Sequence, residues 1–208
     1  MSINNKILEQ IKNDISGKNI KLLIVTKTRS QEDIIQLIKM GYDEFAENRV
    51  QEAQKKYTDI LQNKDIKLNL IGPLQSNKVK QALKLFDVIQ SIDRIKIADE
   101  IIKYKDESNK TKIFYIQINI GKEAQKNGVM PDDFEHLYKY CYDEGLKING
   151  IMCIPPQDKD PSLFFSEMER IRNETNKDLI LSMGMSSDYK IAFEYNTNQI
   201  RIGSKIFI

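Results

Sequence analysis

The feature that most constrains this chain is a regular beat: short, nearly unbroken apolar runs recur along it, and each is followed by a stretch with apolar residues at helical spacing. A run with no polar alternation is the kind buried on both faces of a parallel sheet, with helices packed outside it. The first run, KLLIVT at 21–26, stops at Lys27. Ahead of it Ile3, Ile7, Ile11 and Ile15 recur at four-residue spacing before Gly17, which predicts one additional amphipathic helix at the N-terminus.

Each later unit carries its own start and stop signals. Ser30 and Asp33 form a capping-box pattern for a helix with Ile34, Leu37 and Ile38, closed by Gly41. EFAE (44–47) leads to Asn48, a residue suited to cap the helix bearing Val50, Ala53 and Tyr57. LNLI (68–71) precedes Gly72-Pro73 and a helix that Ser76 could cap, and DVIQ (87–90) precedes a helix from about Asp93 through Ile102. KIFYIQINI (112–120) is the longest strand candidate, followed by Pro131 in the first turn of a helix with Phe134, Leu137 and Cys141. LKINGIMCI (146–154) is followed by Asp160-Pro161 and a helix with Phe164, Met168 and Ile171. DLILSM (178–183) and NQIRIG (198–203) are the last strands, with a short helix at 191–195 between them. Eight strands alternating with helices predict a closed (β/α)8 TIM-type barrel, with residues 1–208 as a single domain and the N-terminal helix as an extra element. A length of 208 residues suits one hydrophobic core.

Composition narrows the function. With 32 Lys+Arg against 30 Asp+Glu there is no basic field to gather nucleic acid or anionic lipid, so any anion site must be local. Cys141 and Cys153 lack metal-ligand spacing, which argues against a disulfide framework or zinc and for the reducing cytoplasm. No stretch is apolar for long enough to cross a bilayer. His136 sits on a polar helical pattern, so histidine-based triads are excluded. Neither a dinucleotide fingerprint nor a Gly-rich phosphate loop of the Walker type is present.

Functional groups of such a barrel gather at the strand C-termini. That rule selects Lys27, Glu47-Asn48, 75–78, Asn119, Met152, 182–186 and 201–204. Lys27 follows a buried strand, where an ammonium would be poorly solvated and a neutral, nucleophilic amine favoured, as Schiff-base chemistry requires. The same position also suits an ordinary solvated lysine at the barrel mouth. Ser182-Met-Gly-Met-Ser186 and Arg201-Ile-Gly-Ser204 end consecutive strands, and their glycines and hydroxyls resemble a phosphate cradle; tight turns satisfying their own backbone are the alternative. Arg201 is a fixed cation there, with a structural salt bridge as its rival role. Residues 72–78 read as a turn and helix cap.

Taken in order, IVTKT (24–28), FAENRVQE (45–52), LIGPLQSNK (70–78), QSID (90–93), INIGKEAQKNGV (118–129), GIMCIPP (150–156), LSMGMSSD (181–188) and IRIGSKIF (200–207) are similar to the pyridoxal 5′-phosphate (PLP) homeostasis proteins, over nearly the whole chain. The resemblance implies an alanine-racemase-like N-terminal barrel holding PLP. Lys27 would form the Schiff base, Asn48 would reach the phenolic-oxygen side, and Arg201 would face the pyridine nitrogen. Ser182, Met183, Gly203 and Ser204 would hold the phosphate. Asn69 stands where the family usually has histidine, Ala46 replaces a glycine, and Ser204 replaces threonine while keeping a hydroxyl.

An arginine opposite the ring nitrogen leaves PLP a weak electron sink, because arginine does not give up its proton. Racemases with that arrangement take a second base from a further C-terminal domain and a partner subunit, and the sequence ends with the barrel. The reading is therefore a monomeric PLP carrier that stores, buffers or delivers the cofactor, with PLP-dependent apo-enzymes as recipients. The alternatives are a racemase-like PLP enzyme acting on amino acids and a barrel lyase using Lys27 on a phosphorylated sugar.

Overall fold

The computed structural model describes residues 3–107 and 110–207, apart from the side chain of Asn63. Eight parallel strands close on themselves in sequence order: β1 (Lys21–Val25), β2 (Glu44–Glu47), β3 (Lys67–Leu70), β4 (Val88–Ile92), β5 (Ile113–Ile118), β6 (Gly150–Cys153), β7 (Ile180–Met185) and β8 (Gln199–Ile202). Pairing of β8 with β1, Leu23 opposite Arg201, completes the ring. The predicted (β/α)8 barrel is thus observed, and so is the extra N-terminal helix α1 (Asn5–Ile15). Helices α2 (Gln31–Lys39), α3 (Val50–Asn63), α4 (Val79–Leu85), α5 (Ile95–Tyr104), α6 (Phe134–Asp143), α7 (Pro161–Thr175) and α8 (Tyr189–Ala192) connect the strands.

Several helix starts follow the sequence logic. Ser30 and Asp33 make a reciprocal capping box, and Asp160 accepts from Ser162 N with Pro161 in the first turn. Two starts differ. The residue before α3 is Arg49, with no side-chain cap, so Asn48 is one position too early to serve as one. Ser76 opens a 3-10 turn (Ser76–Lys78), and α4 begins only at Val79.

Strand alternation divides the molecule into two cores. Ile24, Phe45, Leu68, Leu70, Ile116, Leu181 and Ile200 face outward into one continuous apolar layer beneath the helices. Inside the barrel, Leu23, Ala46 and Ile71, with Val25 against them, form a small separate cluster under β1–β3. Val88, Tyr115 and Met152 also face inward, but much of the remaining interior is polar. Gln90 on β4 donates to Gln199 on β8 at 2.7 Å, and those strands are not neighbours in the sheet, so the bond crosses the barrel lumen. Gln90 also donates to Asn69 (2.9 Å), Ser182 donates to Gln90 (2.7 Å), and Gln199 donates to Glu44 (3.2 Å). A barrel interior is ordinarily filled by branched apolar side chains, so this network stands out. Asn69, Gln90 and Gln199 each find partners here, which is what makes a polar interior tolerable.

One irregularity shapes the mouth. Ser182 pairs with Gln199, but Met185 pairs with Arg201, so β7 spends one more residue than β8 over the same span. This is a bulge, and Gly184 within it takes φ 96°. A side chain at that glycine would start 2.9 Å from Ala192 Cβ, so the left-handed φ and the packing both call for glycine.

Candidate functional site

A cleft of about 720 Å³ opens at the C-terminal ends of the strands. Its lining includes Lys27, Asn48, Arg201, Gly203 and Ser204, five of the seven positions that the resemblance assigned to PLP. A smaller hollow by Tyr138 and Tyr142 lies elsewhere and contains none of them.

Ser182 and Met183 are placed differently. Met183 is fully buried and belongs to the outer apolar layer. Ser182 is fully buried inside the barrel, where its hydroxyl bonds to Gln90, Gln199 and Arg201. From that loop the cleft takes Met185, Ser186 and Ser187 instead, because the β7 bulge carries the chain past Ser182 before it reaches the mouth. No periodicity signals a bulge of this kind; the glycine at 184 was the available hint.

Arg201 is 3% exposed and its guanidinium is fully directed by carbonyls and a hydroxyl. Nη1 donates to Ser182 O (2.6 Å) and Ser182 Oγ (2.9 Å), and Nη2 donates to Cys153 O (2.6 Å). Among the described residues it has no carboxylate ion pair, which removes the salt-bridge role weighed above. Burial lowers its pKa from the ordinary arginine value, yet an arginine begins so high that it stays protonated. The same burial pushes the Cys153 thiol up to about 12, so that cysteine is no nucleophile.

Lys27 is the opposite case. Its side chain is exposed at the cleft wall, so the desolvation suggested by its place after a buried strand is absent. Among the described residues it makes no hydrogen bond or ion pair, which leaves the amine free toward the cleft. The next residue, Thr28, is β-branched yet adopts φ 64°, a left-handed conformation that persists only where neighbours enforce it.

Glycines bring the walls together. A Cβ on Gly72 would lie 2.1 Å from Asn48 O, so only glycine lets the loop after β3 pass against the Asn48 peptide. Gly72 is thus more than a turn residue, because its packing lets the β3 loop close on Asn48. On Gly203 a Cβ would meet Val25 Cβ and Val25 O, each at 3.1 Å, so the loop after β8 runs tightly over β1. The turn at 203–206 closes through Ile206 N to Gly203 O (3.0 Å), and Asn4 N donates to Ile206 O (3.0 Å), tying it to the N-terminal segment.

Residues 6–208 match the family described as alanine racemase, N-terminal domain. A pyridoxal phosphate homeostasis protein of Aquifex aeolicus is 35% identical over 217 residues, covering 98% of this chain and 95% of its own. The chain belongs to the pyridoxal phosphate homeostasis protein family. Among solved structures, PipY of Synechococcus elongatus matches without PLP at a TM-score of 0.88 and 27% identity, covering 98% of this chain and 99% of that one. With PLP bound, PipY matches at 0.85 and 26%, with the same coverage. An alanine racemase from Acinetobacter baumannii shares the fold at a TM-score of 0.77 and 16% identity, over 97% of this chain and 61% of the racemase. Within this family barrel the cleft occupies the expected face, at the strand C-termini. His136 is exposed on α6 and far from the strand ends in sequence, and no described helix is long and apolar enough to cross a membrane.

Proposed function

We propose that this chain binds PLP through a Schiff base on Lys27 and serves PLP homeostasis by storing, buffering or delivering the cofactor without turnover. PLP supplies an aldehyde that condenses with a primary amine as water leaves, together with an aromatic ring nitrogen and a phosphate. The observation that carries the reading is the convergence in one cleft of an unpaired amine, a buried guanidinium and a tight Gly203-Ser204 turn. That donor set fits the group: Lys27 for the aldehyde, Arg201 for the ring nitrogen, and the 203–204 turn for the phosphate, with Asn48 on the phenolic-oxygen side. Ser182 and Met183 were expected to join the phosphate site; we assign Ser182 to holding Arg201, and Ser186 to the phosphate end of the cleft.

Arg201 also bears on reactivity. A guanidinium held by three oxygen acceptors keeps its protons and leaves the ring nitrogen neutral, which suits retention of the cofactor over carbanion chemistry. The working form is a cytoplasmic monomer of one domain, residues 1–208, that hands PLP to dependent apo-enzymes. The test is the visible spectrum of wild type and Lys27→Ala, each purified with PLP and exhaustively dialysed. A band in wild type that is missing from the variant is the expected result, and no band in either sinks the reading. Turnover is tested separately: Lys27-dependent exchange of the α-hydrogen of alanine with deuterated solvent would show a racemase-like enzyme instead.

A further inference from the structure

Lys27 stands two residues beyond Val25, the last ladder residue of β1, and the sheet gives the 26–28 segment only one more backbone bond, Thr26 N to Ala46 O at 3.0 Å. Beyond that, the segment is held by a turn bond, Arg29 N to Thr26 O at 3.0 Å, and by a partly buried charge cluster on the outer side of the barrel. Lys56 of α3, 9% exposed, sends its ammonium to three oxygens: Glu47 Oε1 (2.6 Å), Glu52 Oε1 (2.9 Å) and Thr26 O (2.8 Å). Thr26 Oγ1 donates to Glu47 Oε1 (2.8 Å) and meets Tyr57 OH at 2.6 Å. Thr28 N donates to Glu52 Oε1 at 2.6 Å. The two peptide groups that flank the Lys27 Cα are therefore both engaged: the carbonyl before it by Lys56, the N–H after it by a carboxylate that Lys56 also holds.

We propose that Lys56, acting through Glu47 and Glu52, is a positioning residue for Lys27. It fixes the backbone from which the amine projects and enforces the left-handed turn at Thr28. Because Glu47 immediately precedes Asn48, the same ammonium also ties the Lys27 segment to the Asn48 segment across β1 and β2. An isolated i,i+4 pair on a helix surface would give no such coupling; here Lys56 reaches past its own helix to the strand ends. None of the cluster's side chains lines the cleft, so it acts through the backbone that carries Lys27. The inference rests on the proposed Schiff base at Lys27.

The experiment has two readouts on wild type, Lys56→Met, Glu52→Ala and Glu52→Gln. The first is amide exchange at Thr28, which needs no cofactor. The second is the rate at which Lys27 becomes attached to added PLP, trapped by borohydride and located by peptide mass. In Lys56→Met, Thr28 exchanges faster and attachment slows by about tenfold or more, as expected when a reacting group loses its alignment. Glu52→Ala shows a smaller change in the same direction, and Glu52→Gln, which keeps an acceptor for Thr28 N, recovers much of it. Should Lys56→Met fail to fold, the contrast between the two Glu52 variants decides. Attachment and exchange unchanged in both folded Glu52 variants overturn the proposal. Absence of attachment in wild type instead overturns the Schiff-base reading, and the exchange data still report whether the clamp exists.

Discussion

The two cations of the cleft are held in opposite ways. On the β7–β8 wall, Arg201 is immobilised by its own side chain, with bonds to Ser182 and Cys153 and a polar lumen beneath it. On the β1–β2 wall, the Lys27 side chain has no partner among the described residues, and its backbone is held instead, from outside the barrel, by Lys56 and Glu52. A group that must keep one orientation is served by fixing its head; a group that must react and be released is served by fixing its stem. The interior beneath each wall follows suit: apolar under Lys27, hydrogen-bonded under Arg201.

The largest break in this arrangement is expected at Gly72→Ala. The new methyl would lie on the Asn48 carbonyl, in a place where only backbone can yield, so we expect a loss of about 3 kcal/mol or more. Urea unfolding measures it, and a loss under about 1 kcal/mol would mean that the walls slide past one another freely. Next comes Arg201→Met. Removing a buried charge relieves desolvation, but it leaves the Ser182 and Cys153 carbonyls without their donors, for a net cost of about 2 kcal/mol. Under the proposed placement of Arg201 at the ring nitrogen, the band of the PLP-loaded protein should also shift. Ser182→Ala is milder, about 1 kcal/mol, because Arg201 keeps the Ser182 carbonyl while Gln90 loses one donor. An unaltered midpoint and spectrum in Ser182→Ala would show that the lumen network does not hold Arg201.

How much of this was legible in the sequence depends on range. The barrel was, because buried parallel strands leave local apolar runs, and Ser30, Asp160 and Pro161 mark helix starts within a few residues. That Lys27, Asn48, Arg201 and Ser204 share one cleft was legible because strand C-termini gather on one face. The lumen was not legible: Gln90 and Gln199 stand 109 positions apart, and nothing local pairs them. Nor was the β7 bulge, which follows Ser182 and delivers Ser186 to the cleft. Lys56 was hidden for a third reason, since with Glu52 it has the spacing of a solvated surface pair. Only the strand behind it buries Lys56, while Glu52 stays partly exposed.

The smallest expected effect separates the walls by pH. Burial raises the pKa of Glu47 above the usual glutamate range, although Lys56 and Thr26 oppose it, because its second oxygen is buried without a partner. A carboxyl that binds its proton more tightly folded than unfolded adds stability that is full below the unfolded value and fades as pH rises through the folded one. Glu52 has the opposite sign: against a burial penalty, Lys56 and the Thr28 N–H hold its carboxyl below the usual range, so its contribution fades as pH falls. Arg201 stays charged throughout and adds no slope. Unfolding free energies measured above the ordinary glutamate range should therefore decline with pH, by at most about 1.4 kcal/mol per pH unit for one proton. Glu47→Gln should flatten that decline while Arg201→Met leaves it in place. If the slope survives Glu47→Gln, the titrating group lies elsewhere and the charge cluster under Lys27 is not the pH-sensitive wall.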